Sequence, residues 1–355
     1  MIGIIDGAGP VRAGEELDSA KLRRFLVDAL GPWEGPLQIE QFRKGHSNLT
    51  YLIRLGEREL VLRRPPFASK VKTAHDMSRE YKVLSRLCGV YPPAPRPAVF
   101  CEDESILGAK FYVMERIKGV ILRSQPPAGI EMAPETARRC CLSFIENLAT
   151  LHQLDYRTVG LDDLYRPGWY VQRQVLGWAD RYEQSKTDDI PMIDATIAWL
   201  KERIPEDTGA GLIHNDYKFD NLVLDPDDWT HIIGVLDWEM ATVGDPLMDL
   251  GTALGYWVEA KDPSGMQGAQ CFLTSLPGSL TRMQLAEEYG KLTGRDVSNI
   301  LFYYVFSLLK IAVIVQQIYY RYVKGSTKDE RFATLIFLVG VLGNIAVNAV
   351  EKGEV

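Results

Sequence analysis

The chain has 355 residues, 46% of them hydrophobic and 25% charged, with a formal net charge of −7. These proportions are those of a globular protein rather than a disordered, collagen-like or coiled-coil chain, and the length suits two structural units or one bilobed domain. The acidic balance argues against nucleic acid and anionic membranes as partners, which select basic surfaces; phosphate ligands remain open because a bound metal brings its own positive charge.

The five cysteines (Cys88, Cys101, Cys140, Cys141 and Cys271) are odd in number and include no C-x-x-C pair. That usage predicts neither a disulfide framework nor a zinc site and fits a reducing, cytoplasmic location. The first residues, MIGIIDGAGPVRAG, lack a basic start and a long apolar run, so no signal peptide is expected.

A helix is predicted from about Asp18 to Leu30, its apolar face carrying Leu22, Phe25, Leu26 and Ala29, with Gly31-Pro32 ending it. Alternation at Leu37, Ile39 and Gln41, then at Tyr51, Ile53 and Leu55, reads as strands. Gly56-Glu57-Arg58 is a turn into a returning strand, Glu59 to Arg64, stopped by Pro65-Pro66. Helical spacing returns from Asp76 to Leu87, and Phe111 to Met114 is a further strand. From there the chain is mostly helical, with helices expected at Pro134 to Leu154, Tyr170 to Gln184 and Ser298 to Tyr322. One short hairpin interrupts them: Leu222-Val223-Leu224, a turn at Asp225 to Asp228, and Ile232 to Leu236. Phe332 to Val350 is uncharged and nearly the length of a membrane span. Its two asparagines and two glycines, and its isolation, favour a buried C-terminal helix and no membrane. The resulting fold class is α+β: a small strand-rich N-terminal lobe over residues 1–115 and a larger, mainly helical lobe over 116–355.

The residues with chemistry flank the hairpin: His214-Asn215-Asp216-Tyr217-Lys218-Phe219-Asp220-Asn221 before it and Leu236-Asp237-Trp238-Glu239 after it. Phosphoryl transfer needs a carboxylate to orient a hydroxyl and take its proton, and oxygen ligands for Mg²⁺ on the phosphates. Asp216 and Asn221 would share one loop mouth, and the antiparallel return would bring Asp237 beside Asn221. No Walker loop, G-x-G-x-x-G or G-x-S-x-G occurs, which removes P-loop kinases, dinucleotide enzymes and serine hydrolases.

His-x-Asp-x-x-x-x-Asn, a hairpin and Leu-Asp-Trp-Glu resemble the catalytic core of the aminoglycoside phosphotransferase and choline kinase family. The resemblance implies a bilobed protein-kinase-like fold with ATP and Mg²⁺ in the cleft between lobes and a small-molecule hydroxyl as acceptor. It implies Asp216 as catalytic base, Asn221 and Asp237 as metal ligands, His214 as a loop-shaping residue, and Lys218 directed at the transferring phosphate. It further makes Gly45, Ser47 and Asn48 part of a phosphate-covering turn and Arg63 the phosphate cation. Glu80 is then that cation's helix partner, and Met114, Glu115 and Arg116 form the adenine hinge. Asp245 and Asp249 would brace the catalytic loop, while His152 reads as a core histidine. Asn215 and Arg63 depart from the family's usual glycine and lysine.

Pro167-Gly168-Trp169-Tyr170 with Arg173, Gln174, Trp178 and Tyr182 is more narrowly similar to the phosphotransferase domain fused to some acyl-CoA dehydrogenases. That branch implies hydroxylated acyl groups, free or as CoA thioesters, as acceptors. Two other readings are an antibiotic-phosphorylating aminoglycoside kinase and a non-catalytic nucleotide-binding module. The sequence sets no oligomeric state.

Overall fold

The computed structural model describes residues 5–42, 48–67, 76–126, 131–263, 265–267, 271–327 and 329–355. It divides into two compact units. The first comprises Met1–Ile121 with Asn221–Ala241, and the second Leu122–Asp220 with Thr242–Val355.

The first unit is built on a five-stranded antiparallel sheet in the order β1-β2-β3-β5-β4. Its strands are β1 (Leu37–Gln41), β2 (Leu49–Leu55), β3 (Arg58–Arg64), β4 (Pro97–Cys101) and β5 (Phe111–Glu115). Helices α1 (Ser19–Leu30), α2 (Met77–Leu87) and the short α3 (Glu104–Leu107) accompany it. Asp18 caps α1 and Asp76 caps α2, each carboxylate accepting backbone N–H bonds of the first turn. Leu22 and Leu26 of α1 pack with Tyr51, Ile53, Leu60, Leu62, Phe111 and Val113 in one buried cluster. Strand periodicity assigns Leu60 and Leu62 to that cluster, so Val61 and Arg63 face the other way. Strand β4 is additional to the expected strands and lies in a proline-rich segment. Pro97 is tolerated because it opens an edge strand, where a missing N–H costs no ladder bond.

In chain order the second unit begins with α4 (Pro134–Gln153), α5 (Tyr170–Ser185) and α6 (Pro191–Glu202). Strand β6 (Gly211–Ile213) follows. The hairpin β7 (Leu222–Leu224) and β8 (Ile232–Val235) is in the first unit, where Val120 bonds Leu224 and Val235 bonds Pro93. Strand β9 (Thr242–Gly244) returns to pair antiparallel with β6. It is followed by α7 (Pro246–Gly255), α8 (Arg282–Thr293), α9 (Ile300–Val323) and α10 (Leu335–Lys352).

Helix α9 is the core of this unit: from Phe302 to Val313 every residue is buried. A helix apolar all round belongs inside a protein. Helix α10 is less covered than the buried C-terminal helix expected. Val339, Leu342, Gly343, Ala346 and Ala349 form a buried stripe, but only 28% of its apolar window is covered and Phe337 is 74% exposed. None of the five cysteines forms a disulfide.

Candidate active site

In the first unit the residues of interest gather around Arg63. Its guanidinium Nη2 lies 2.8 Å from Asp237 Oδ1, 3.5 Å from Glu80 Oε1 and 3.8 Å from Glu239 Oε2. Burial alone would disfavour the cation, but Glu80, Asp237 and Glu239 outweigh it and hold the guanidinium charged. Glu80, on α2, is 1% exposed. Burial pushes its carboxyl pKa up despite Arg63 and a hydrogen bond from the Trp238 N–H. Asn48 is buried and its side-chain amide donates to Glu239 Oε2 at 2.5 Å.

The hairpin sets Asn221 and Asp237. Leu222 pairs with Val235, and the Leu236 N–H donates to the Asn221 carbonyl at 2.8 Å, so the two candidate metal ligands flank the same, open end of the hairpin. Asp237 adopts a left-handed backbone, φ 68°, a strained choice for a residue other than glycine. Trp238 locks the turn, its indole donating to the Val235 carbonyl and its ring packing edge-on against Tyr91.

Met114 is buried on β5 opposite Val61, whereas the Glu115 side chain is half exposed. The Glu115 N–H donates to the Arg96 carbonyl and the Arg116 N–H to that of Glu59. The Arg116 side chain bonds Glu59 and the Asp6 carbonyl. Gly45 and Ser47 lie outside the described residues.

In the second unit the segment from His214 to Lys218 hangs from Asp249 of α7. Asp249 Oδ2 accepts the His214 N–H and Oδ1 the Asn215 N–H, both at 2.7 Å. His152 Nε2 lies 3.0 Å from Oδ2, while its Nδ1 lies 2.7 Å from the Tyr289 hydroxyl. Full burial would raise the Asp249 pKa. The His152 hydrogen bond, the two nearby imidazoles and the backbone donor more than offset it, holding the carboxyl below its ordinary value. His152 is therefore a core histidine, as read, and also part of the brace. Asp245 ties the segment leading into β6 in the same manner, accepting from the Thr208 N–H and hydroxyl.

His214 is fully buried, and its Nδ1 accepts the Asp216 N–H at 3.3 Å, shaping the turn from within. Asn215 takes φ 66°, the left-handed conformation that asparagine tolerates better than most residues. The Lys218 ammonium lies 3.1 and 3.0 Å from the two Asp216 carboxylate oxygens and 4.5 Å above the Tyr256 ring. A small, open depression adjoins Lys218, walled by Asp220, Phe144, Phe219, Tyr256 and Trp257 among others.

Sequence reasoning missed Lys310. It lies in α9, is 3% exposed, and donates to the Asn215 carbonyl at 2.7 Å. The available signal was a single charge inside an otherwise uncharged run from Ile300 to Tyr320.

A sequence profile described as the phosphotransferase enzyme family matches residues 38–270. The human protein named acyl-CoA dehydrogenase family member 11 is 33% identical over 323 residues, covering 89% of this chain and 41% of that protein. The Arabidopsis thaliana protein named probable acyl-CoA dehydrogenase IBR3 is 31% identical over 337 residues, covering 89% and 40%. The chain thus spans about two fifths of these relatives. A Ralstonia eutropha structure provisionally named an aminoglycoside phosphotransferase superposes with TM-score 0.80 at 30% identity, over 95% of this chain and 99% of that one. A Cryptosporidium parvum choline kinase shares the fold, with TM-score 0.63 at 11% identity over 95% and 97% of the two chains. The chain belongs to the phosphotransferase enzyme family and has its kinase-like fold.

Proposed function

We propose that this protein is an ATP- and Mg²⁺-dependent kinase that transfers the γ-phosphoryl group to a hydroxyl of a small molecule. The observation that carries the reading is the Asp216 loop, held on a buried carboxylate and presenting a carboxylate gripped by Lys218. Asp216 takes the proton of the acceptor hydroxyl as its oxygen bonds to phosphorus and the bond to ADP breaks. Lys218 moves from Asp216 toward the transferring phosphate. Asn221 and Asp237 are hard oxygen donors of the kind Mg²⁺ takes alongside phosphate, and they would hold the ion. When bound, Mg²⁺ neutralises phosphate charge and clamps the transferring group.

Arg63 is the cation for the nucleotide phosphates, aimed by Glu80, and Gly45, Ser47 and Asn48 cover those phosphates. Adenine meets the backbone of the Met114 to Arg116 segment. Because the Glu115 and Arg116 N–H groups already donate within the protein, that contact falls to neighbouring backbone groups.

For the acceptor we favour a hydroxylated acyl compound, free or as a CoA thioester. Two features support it: the likeness to relatives named as acyl-CoA dehydrogenases, and the aromatic walls of the pocket beside Lys218. An aminoglycoside polycation would call for several carboxylates, whereas that lining carries Asp220. The test is ADP release from Mg·ATP against hydroxyacids, their CoA thioesters, amino alcohols and aminoglycosides. Release should need Mg²⁺, respond to the acyl class, and fall at least ~100-fold in Asp237→Asn. Release driven by aminoglycosides would replace the acceptor class, and metal-independent nucleotide binding with no turnover would favour a non-catalytic module.

A further inference from the structure

Lys310 sits in the middle of α9 between Leu309 and Ile311, both buried, where an ammonium is costly unless its protons are satisfied. Its Nζ donates to the Asn215 carbonyl at 2.7 Å and approaches Thr252 Oγ1 at 3.4 Å, with the Trp178 ring centroid at 6.0 Å. The residue it anchors is the strained one immediately before the proposed base. Asn215 is held from three sides: its N–H by Asp249 of α7, its carbonyl by Lys310 of α9, and its side chain by Tyr170 of α5. A left-handed non-glycine residue persists only when its surroundings over-determine it.

We infer that Lys310 is a positioning residue for phosphoryl transfer, its ammonium fixing the Asn215 carbonyl and thereby the direction in which Asp216 presents its carboxylate. This rests on the kinase reading for its effect on turnover, but its electrostatic part stands apart from that reading. The charged groups facing the ammonium are Asp216 and Lys218 of the loop and Asp249 of α7. Burial pushes the Lys310 pKa down to about 8, the two carboxylates favour the charged form, and Lys218 opposes it. The charged, stronger donor is thus present below pH 8 and is lost above it.

Two measurements test this. In turnover assays Lys310→Gln should lower kcat about 10- to 100-fold with the KM for ATP little changed, because the loop is misaligned rather than the nucleotide site. The wild-type fall in kcat above pH 8 should be absent from this variant. Lys310→Met serves if the glutamine variant does not fold. Independently of any acceptor, NMR of ¹³Cε-labelled lysine should show Lys310 titrating near pH 8 in the wild type and lower in Asp216→Asn, where a favourable carboxylate is removed. A normal lysine pKa, or one that does not move in Asp216→Asn, would overturn the coupling even if no acceptor is found. Wild-type kcat in Lys310→Gln, or an unchanged basic limb, would overturn the positioning role.

Discussion

Asp249 shows how much of the proposed catalytic loop depends on one carboxylate. It is fully buried, accepts two backbone N–H groups and pairs with His152, so no single side chain replaces it. Asp249→Asn keeps the shape but turns one acceptor oxygen into a donor facing an N–H or an imidazole. Leaving such a buried group unsatisfied costs roughly 1–3 kcal/mol, which denaturant unfolding would register as a lower midpoint at unchanged slope. Unchanged stability would mean the brace is dispensable. The roles of Asp216, Asn221 and Asp237 could be proposed from sequence because spacing along one loop and one hairpin is local information. Lys310 could not, since a lysine 95 positions away meets Asn215 only after α9 has packed.

At the scale of elements, glycines mark where helices come closest. In α7, a Cβ added at Gly251 would stand 2.5 Å from the Tyr303 carbonyl oxygen on α9, backbone that cannot step aside. Gly251→Ala should therefore destabilise by about 1–3 kcal/mol through overpacking. Gly340, in α10, has open space around its missing Cβ, and Gly340→Ala should stabilise by roughly 0.5–1 kcal/mol through helix propensity. Opposite signs in thermal unfolding would bear out the packing of α7 on α9; equal signs would contradict it. The same two helices show what periodicity conveys. Apolar spacing located α4, α5 and α9, but it could not say that α9 is buried all round while α10 covers one stripe, because the less buried α10 is the more apolar of the two, with mean hydropathy 2.0 against 1.7.

For the whole molecule, burial of Lys310 sets stability and activity against each other. Its folded pKa of about 8 is below the ordinary lysine value, so the unfolded chain binds more protons between the two. Stability contributed at this position therefore rises with pH from about 8 to 10.4, by roughly 3 kcal/mol. Over the same window the proposed positioning charge is lost. The unfolding free energy of the wild type minus that of Lys310→Met should climb through this window while wild-type turnover falls. A parallel fall of both would point to general alkaline unfolding instead. The strand-rich and helical units were legible from periodicity, but not the inclusion of Asn221–Ala241 in the first unit, which depends on Leu224 and Val235 finding partners, Val120 and Pro93, far upstream.

As the proposed base, Asp216 acts on the acceptor and not on the nucleotide. Affinity for Mg·ATP and turnover with the responding acceptor, measured on the same preparations of wild type and Asp216→Asn, separate the two directly. The variant should bind nucleotide as the wild type does and turn over at least ~10²- to 10⁴-fold more slowly, the range a general base contributes. Full turnover in Asp216→Asn would contradict the assignment.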